Sequence, residues 1–291
     1  MALTEQNKIA IAEIAVYFPA FFLAIFLAFK HGFKRSGGFI YMVVFSLIRI
    51  IGACMQVATI SQPKSLSLYI GAATLQNVGL SPLILVQVAF LTRALISIER
   101  AQSAILNQRS LRFVQLIVLI GLILGAVGGS NSGNDYADTG VWETSTLSQA
   151  GIALMIVGYI FTVLAAIIIG TQISAAAPGE KRVVLIVALS LPFILVRLAY
   201  SAESVYGSNP DFNQVTGNPD ILLGMAIIME MIVVAIVEGI GLTLQKMPET
   251  KPLSSSGSSE GFLGGFGGRR ARRQQRRAER HQMGGFEPSR V

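Results

Sequence analysis

Apolar residues cluster along this chain into long runs separated by short polar stretches. Runs of about 18 to 25 mostly apolar residues match the ~30 Å of hydrocarbon that a helix crosses at ~1.5 Å of rise per residue. Seven such runs occur, near residues 9–29, 39–60, 70–92, 112–129, 148–172, 183–204 and 220–244. The pattern predicts an all-α fold, a seven-helix transmembrane bundle over residues 1–250, followed by a tail of different composition over 251–291. The first run is as long as a span and lacks a small-residue cleavage pattern at its end, so it is expected to be retained as the first helix.

Composition points the same way. Of 291 residues, 52% are hydrophobic and 13% charged, with a mean hydropathy of +0.60, which is too apolar for an ordinary soluble domain. Cys54 is the sole cysteine, so a disulfide framework or a thiolate cluster is not expected.

Charge placement gives an orientation. Lys30, Lys34 and Arg35 follow run one, Arg93, Arg100, Arg109 and Arg112 follow or flank run three, and Lys181 and Arg182 follow run five. The opposite side has only Lys8 and Lys64, and its two longer segments, SNSGNDYADTGVWETST and YGSNPDFNQVTGNPD, contain acids and no base. The positive-inside rule then predicts an outside amino terminus and a cytosolic carboxyl terminus, as an odd number of spans requires.

From Lys251 the sequence becomes SSSGSSEGFLGGFGGRRARRQQRRAERHQMGGFEPSR, rich in Gly, Ser and Arg. Too little apolar surface is present to offset ordering entropy, so disorder is expected. Arg269, Arg270, Arg272, Arg273, Arg276, Arg277 and Arg280 are the candidates for contact with anionic lipid headgroups, at about 1 kcal/mol per basic residue near a membrane. This reading favours lipid over nucleic acid, and a solvated tail that fixes topology is the alternative.

Within the runs, polar residues recur at helical spacing. Ala10, Glu13, Tyr17, Ala20, Ala24 and Ala28 form one stripe of run one; Ser46, Arg49, Ala53 and Gln56 form one of run two. Gln76, Leu80, Leu83 and Gln87, with Asn77 beside them, mark run three; Ser190, Arg197, Ser201 and Ser204, with Tyr200 close by, mark run six. Ile227, Glu230, Val234, Glu238 and Gly241 mark run seven, and Gly121, Gly125 and Gly129 give run four a close-approach surface. Such stripes must face inward, so the bundle should have a polar interior.

Counting ~1.5 Å per residue from the cytosolic ends puts Arg197 and Glu230 both at about 21 Å, Arg49 at about 15 Å, Glu238 at about 9 Å and Glu13 at about 24 Å. Arg197 and Glu230, on consecutive antiparallel helices at one height, are expected to pair, with Arg49 within reach of either glutamate of run seven. The charges nearly cancel, as burial requires. Glu13, Arg49, Gln56, Gln76, Asn77, Gln87, Arg197, Tyr200, Glu230 and Glu238 are thus the candidate polar core, either a lock on helix register or a site for a ligand.

Several chemistries find no residues. His31 and His281 are the only histidines and neither stands within a run, so haem or His-based zinc ligation inside the bundle lacks ligands. With no lysine in a run, and Asp220 at the first position of the last run the one aspartate, a retinal Schiff base and an aspartyl dyad are excluded, and no Gly-rich phosphate loop is present. No metal, no cofactor and no enzymatic activity are expected.

LIRIIGACMQ at 47–56, PFILVRLAYS at 192–201 and MEMIVVAIVEGIGL at 229–242 resemble the recurring patterns of an uncharacterised group of fungal seven-helix integral membrane proteins, described as a domain of unknown function. The likeness covers about residues 5–250 and rests on Arg49, Pro192, Arg197, Tyr200, Met229 and Glu230. It implies a multi-pass protein of the plasma membrane or an endomembrane and supplies no mechanism. A weaker resemblance, through Arg197, Tyr200, Glu203 and Gly207, is to fungal lipid-translocating exporters of the aminocholesterol-resistance type.

Two functions follow as expectations. One is a carrier or small-ligand-binding protein whose charged interior holds a small amphipathic or anionic molecule. The other is a receptor-like or scaffold protein acting through cytosolic loops and the basic tail.

Overall fold

A computed structural model describes residues 4–32, 37–99, 105–140, 143–175, 179–213 and 217–244. The tail arginines, and the disorder expected of 251–291, lie outside the described residues. The described residues are helical apart from turns and short connections, and they belong to one unit, Met1–Met247.

Nine α-helices occur among them: α1 Glu5–His31, α2 Gly37–Ala58, α3 Leu66–Val78, α4 Leu80–Glu99, α5 Gln108–Thr139, α6 Thr146–Thr171, α7 Lys181–Tyr206, α8 Pro219–Leu222 and α9 Ile228–Thr243. A π-helical turn, Leu223–Ile227, joins α8 to α9. Taking α3 with α4 and α8 with α9 gives seven helical segments long and apolar enough to cross a membrane, and each expected run falls on one of them.

Local sequence sets the ends. Thr4, Asn107, Ser145 and Asn218 cap helix starts, each side-chain oxygen accepting from a first-turn backbone N–H. Gly32, at φ 83°, and Gly140, at φ 72°, end α1 and α5 in backbone conformations that disfavour other residues.

The burial pattern is that of a lipid-embedded bundle. On α1 the stripe Ala10, Glu13, Tyr17, Ala20, Ala24 and Ala28 is buried, while Phe18, Phe22, Phe26 and Phe29 on the other face are each more than half exposed. In water such an aromatic band would be costly; in acyl chains it is the natural outer surface. The α4 helix is central, with nearly every residue from Leu80 to Leu95 buried.

Side chains tie neighbouring ends together and fix the antiparallel order. At the face opposite the amino terminus, Lys30 Nζ donates to Leu242 O at 2.8 Å, Arg182 Nη1 to Thr243 O at 2.8 Å, and His31 lies against Leu27 O and Leu244 O. At the amino-terminal face, Gln56 Nε2 donates to Asn7 Oδ1 at 3.1 Å and Tyr206 Oη to Gln149 O.

Three features depart from the sequence reading. Run three was expected to end near residue 92, with Arg93 in the following loop; α4 instead continues to Glu99, with Arg93 buried inside it. The charge is tolerated because Arg93 Nη2 and Nε meet the buried Glu180 carboxylate, at 2.8 Å and 3.1 Å to its two oxygens. Arg93→Ala is therefore expected to lower the melting temperature, because a buried carboxylate left without its partner costs about 1–3 kcal/mol.

Run four was expected to end near 129 and give way to a loop at 130–146, yet α5 stays helical to Thr139. Its polar last turns pack on α3, where Gly133 lies against Ile70, and the left-handed Gly140 stops it. Run three, expected as one helix, is interrupted at Gly79. Pro82 explains the break: it has no N–H for the Val78 carbonyl four residues earlier, and its ring crowds that carbonyl.

Candidate functional site

The interruption at Gly79 is where the charges gather. Arg49, from α2, lies across Gly79, so close that a Cβ there would stand 2.6 Å from Arg49 Nη2. Only glycine leaves room for the guanidinium. Gln76, in the last turn of α3, offers two acceptors: its side-chain Oε1 takes a bond from Arg49 Nη1, and its backbone oxygen takes one from Arg197 Nη2 at 2.8 Å.

Arg197, from α7, is fully used. Its Nε donates to Glu230 Oε1 at 2.6 Å, Nη1 to Ser201 Oγ at 2.5 Å and Nη2 to the Gln76 carbonyl, while the Tyr200 ring centroid lies 5.6 Å from its Cζ. Glu230, from α9, accepts that pair and also the ion contact of Arg49 Nη2 on the same oxygen. Both arginines and Glu230 are buried, with Arg197 and Glu230 at 0% exposure. The expected Arg197–Glu230 pair and the reach of Arg49 to Glu230 are both present in this geometry.

Arg49 is less completely used. Its Nη1 lies 3.9 Å from Glu13 Oε1, beyond hydrogen-bond length, and its Nε has no hydrogen-bond partner among the described residues. Among the described residues Glu13 Oε1 and Gln76 Nε2 are likewise buried without a hydrogen bond of good geometry, although the two side chains stand near enough to interact. Leaving a buried donor or acceptor unmade costs about 1–3 kcal/mol, so this cluster has unspent capacity for a polar guest.

A crevice leads to it. Gln6, Ile9, Ala10 and Glu13 of α1, Gly52 and Gln56 of α2, Tyr69, Ala72, Ala73 and Gln76 around α3, and Leu222 and Ile227 of the last span line a volume of about 50 Å³. Arg49 lies one helical turn below Gly52. The volume suits a few water-sized molecules and is far below the ~300–1,000 Å³ of a drug-sized site. The crevice includes Ile227, the last residue of the π-helical turn, and Leu222 just before its start; such an irregularity recurs at functional positions.

Of the ten candidate core residues, seven belong to this group: Glu13, Arg49, Gln56, Gln76, Arg197, Tyr200 and Glu230. The other three are placed elsewhere. Asn77 lines a separate small cavity with Gly129, Ser132, Ser148 and Ser204. Among the described residues Gln87, fully buried in α4, has neither amide atom hydrogen-bonded, and Glu238, two turns beyond Glu230, has no hydrogen-bond partner for Oε1. Tyr69 and Gly79 belong to the site and were not read from the sequence, although Pro82 three residues on was a legible sign of the break that Gly79 occupies. Among the described residues no cluster of metal-ligating side chains occurs.

The model of one protein family, described as a domain of unknown function (DUF7702), matches residues 3–247. The chain belongs to the DUF7702 family. Searches of the curated proteins and of the solved structures found no match. DUF7702 membership spans every helix described above, so the charged cluster lies within the family domain.

Proposed function

We propose that this DUF7702 protein is a carrier or small-ligand-binding protein that takes a small anion, of the size of a carboxylate or phosphate, from the crevice onto Arg49. The observation that carries the reading is the contrast between the two arginines. Arg197 has every nitrogen satisfied and serves as a lock between α7, α9 and the α3 end; Arg49 has unspent donors below a crevice that opens toward the amino-terminal face. Glu13, 3.9 Å from Arg49, is the group an incoming anion would displace. The reading assigns binding and movement of a ligand, with no catalytic step.

The same reading takes the amino terminus as outside and the carboxyl terminus as cytosolic, on the distribution of Lys and Arg, so the crevice faces out. The membrane is the plasma membrane or an endomembrane, with the basic tail on anionic headgroups of its cytosolic leaflet.

The test is thermal unfolding of purified full-length protein with inorganic phosphate or acetate. Saturable stabilisation is expected in the wild type, reduced in Arg49→Lys and lost in Arg49→Gln. Equal stabilisation in wild type and Arg49→Gln would overturn the assignment. Deleting residues 251–291 is expected to leave the anion response unchanged, whereas a receptor or scaffold working through the tail would lose its cellular phenotype.

A further inference from the structure

A second candidate site lies far from the charges, between α5 and α6. These two helices are brought together by glycine: a Cβ on Gly151 would stand 2.6 Å from Gly125 N and 2.9 Å from Gly121 O, and one on Gly128 would stand 2.2 Å from Ser148 N. The close approach ends near Gly158, which meets Val118. Toward the α5 amino terminus the facing residues are larger, Leu111 and Val114 against Phe161, Leu164, Ala165 and Ile168. A groove of about 620 Å³ opens there, lined also by Leu106, Arg109, Ser110 and Phe113. Its volume lies within the ~300–1,000 Å³ typical of sites for small molecules.

The chemistry along the groove is ordered. Phe161, Leu164, Ala165 and Ile168 share one face of α6 at spacings of three and four residues, and Phe113, Phe161 and Leu164 are about half exposed, on a surface that must face acyl chains. At the mouth stand Arg109 and Ser110, with Arg112 one turn on; both arginines are exposed and neither has an ion-pair partner among the described residues. From Arg109 to Val114 along α5 is ~7.5 Å of rise, which carries a chain from headgroup depth into hydrocarbon.

We propose that this groove holds one acidic glycerophospholipid from the leaflet at the α5 amino-terminal end, its acyl chain between α5 and α6 and its phosphate on Arg109 and Ser110. The complementarity is twofold: apolar walls for the chain and, for the phosphate, guanidinium charge without an ion pair among the described residues. The inference is independent of the crevice at Arg49.

Titrating the full-length protein in neutral detergent with dioleoylphosphatidylglycerol, or with dioleoylphosphatidylcholine of the same chains, and following the melting temperature tests it. The acidic lipid is expected to stabilise saturably and at lower concentration than the zwitterionic one. Arg109→Ala is expected to weaken that response about fivefold, the effect of one basic residue near a headgroup. Leu164→Trp, which fills the groove without changing charge, is expected to reduce it to whatever the tail alone supplies while melting normally in lipid-free detergent. The basic tail is present in every variant and contributes equally. Equal responses to the two lipids, a preference for the acidic lipid that neither substitution diminishes, or a phosphate response that Arg109→Ala removes and Arg49→Gln leaves intact would each overturn the proposal.

Discussion

Glu230→Gln is expected to cost about 3–5 kcal/mol of stability, the effect of removing one partner from a buried ion pair. The substitution preserves shape and removes only the charge that Arg49 and Arg197 share through a single carboxylate oxygen. Arg197 would then keep Ser201 and the Gln76 carbonyl but no counter-charge in contact. Arg49 would keep its bond to Gln76 Oε1 and, as counter-charge, only the longer approach of Glu13. Thermal unfolding in detergent, alongside Arg197→Met, measures the effect. Arg197→Met leaves Glu230 paired with Arg49 and is expected to be the milder change, because the remaining charges still balance locally.

The second large effect is expected at Gly151. A Cβ there meets backbone atoms of α5 on both sides, Gly125 N and Gly121 O, so nothing flexible can yield and the helices must separate. Gly151→Ala should destabilise by about 1–3 kcal/mol, the usual range for overpacking. Gly129→Ala is the informative contrast. Its nearest neighbour is Thr74 Oγ1 at 3.6 Å, an ordinary contact, and alanine favours helix by up to ~1 kcal/mol over glycine, so little or no loss is expected. Measuring both melting temperatures separates glycines that set the α5–α6 distance from one that does not.

The glycine repeat of run four shows what the sequence could and could not reveal. Spacing identified Gly121, Gly125 and Gly129 as one surface, and the first two do meet α6. Which glycine is indispensable depends on what lies opposite, and that is a tertiary fact. The same division applies to the charges. Equal height on consecutive helices was enough to pair Arg197 with Glu230, because an unpaired guanidinium in hydrocarbon is untenable. That Arg197 is saturated and Arg49 is not depends on the Gln76 carbonyl and on Gly79, both consequences of the break before Pro82. Arg93 was misplaced for a related reason: a charge reads as the end of a span unless its partner is known, and Glu180 lies 87 residues away in the chain. The helical end of α5 was hidden because its polar composition resembles a loop, while packing of Gly133 on Ile70 holds it in helix.

An anion can reach Arg49 only if water reaches the interior charges from the amino-terminal face. Cys54 is the sole cysteine, so Cys54→Ser gives a background for single thiols. A charged, membrane-impermeant thiol reagent applied to Ala73→Cys, in the crevice wall, and to Ala24→Cys, packed at 0% exposure on α1, tests the claim directly. Fast labelling of Ala73→Cys, slowed by inorganic phosphate, with Ala24→Cys unreactive, is the expected result. Ala73→Cys as unreactive as Ala24→Cys would contradict it and leave the charged cluster as a lock on the helices alone.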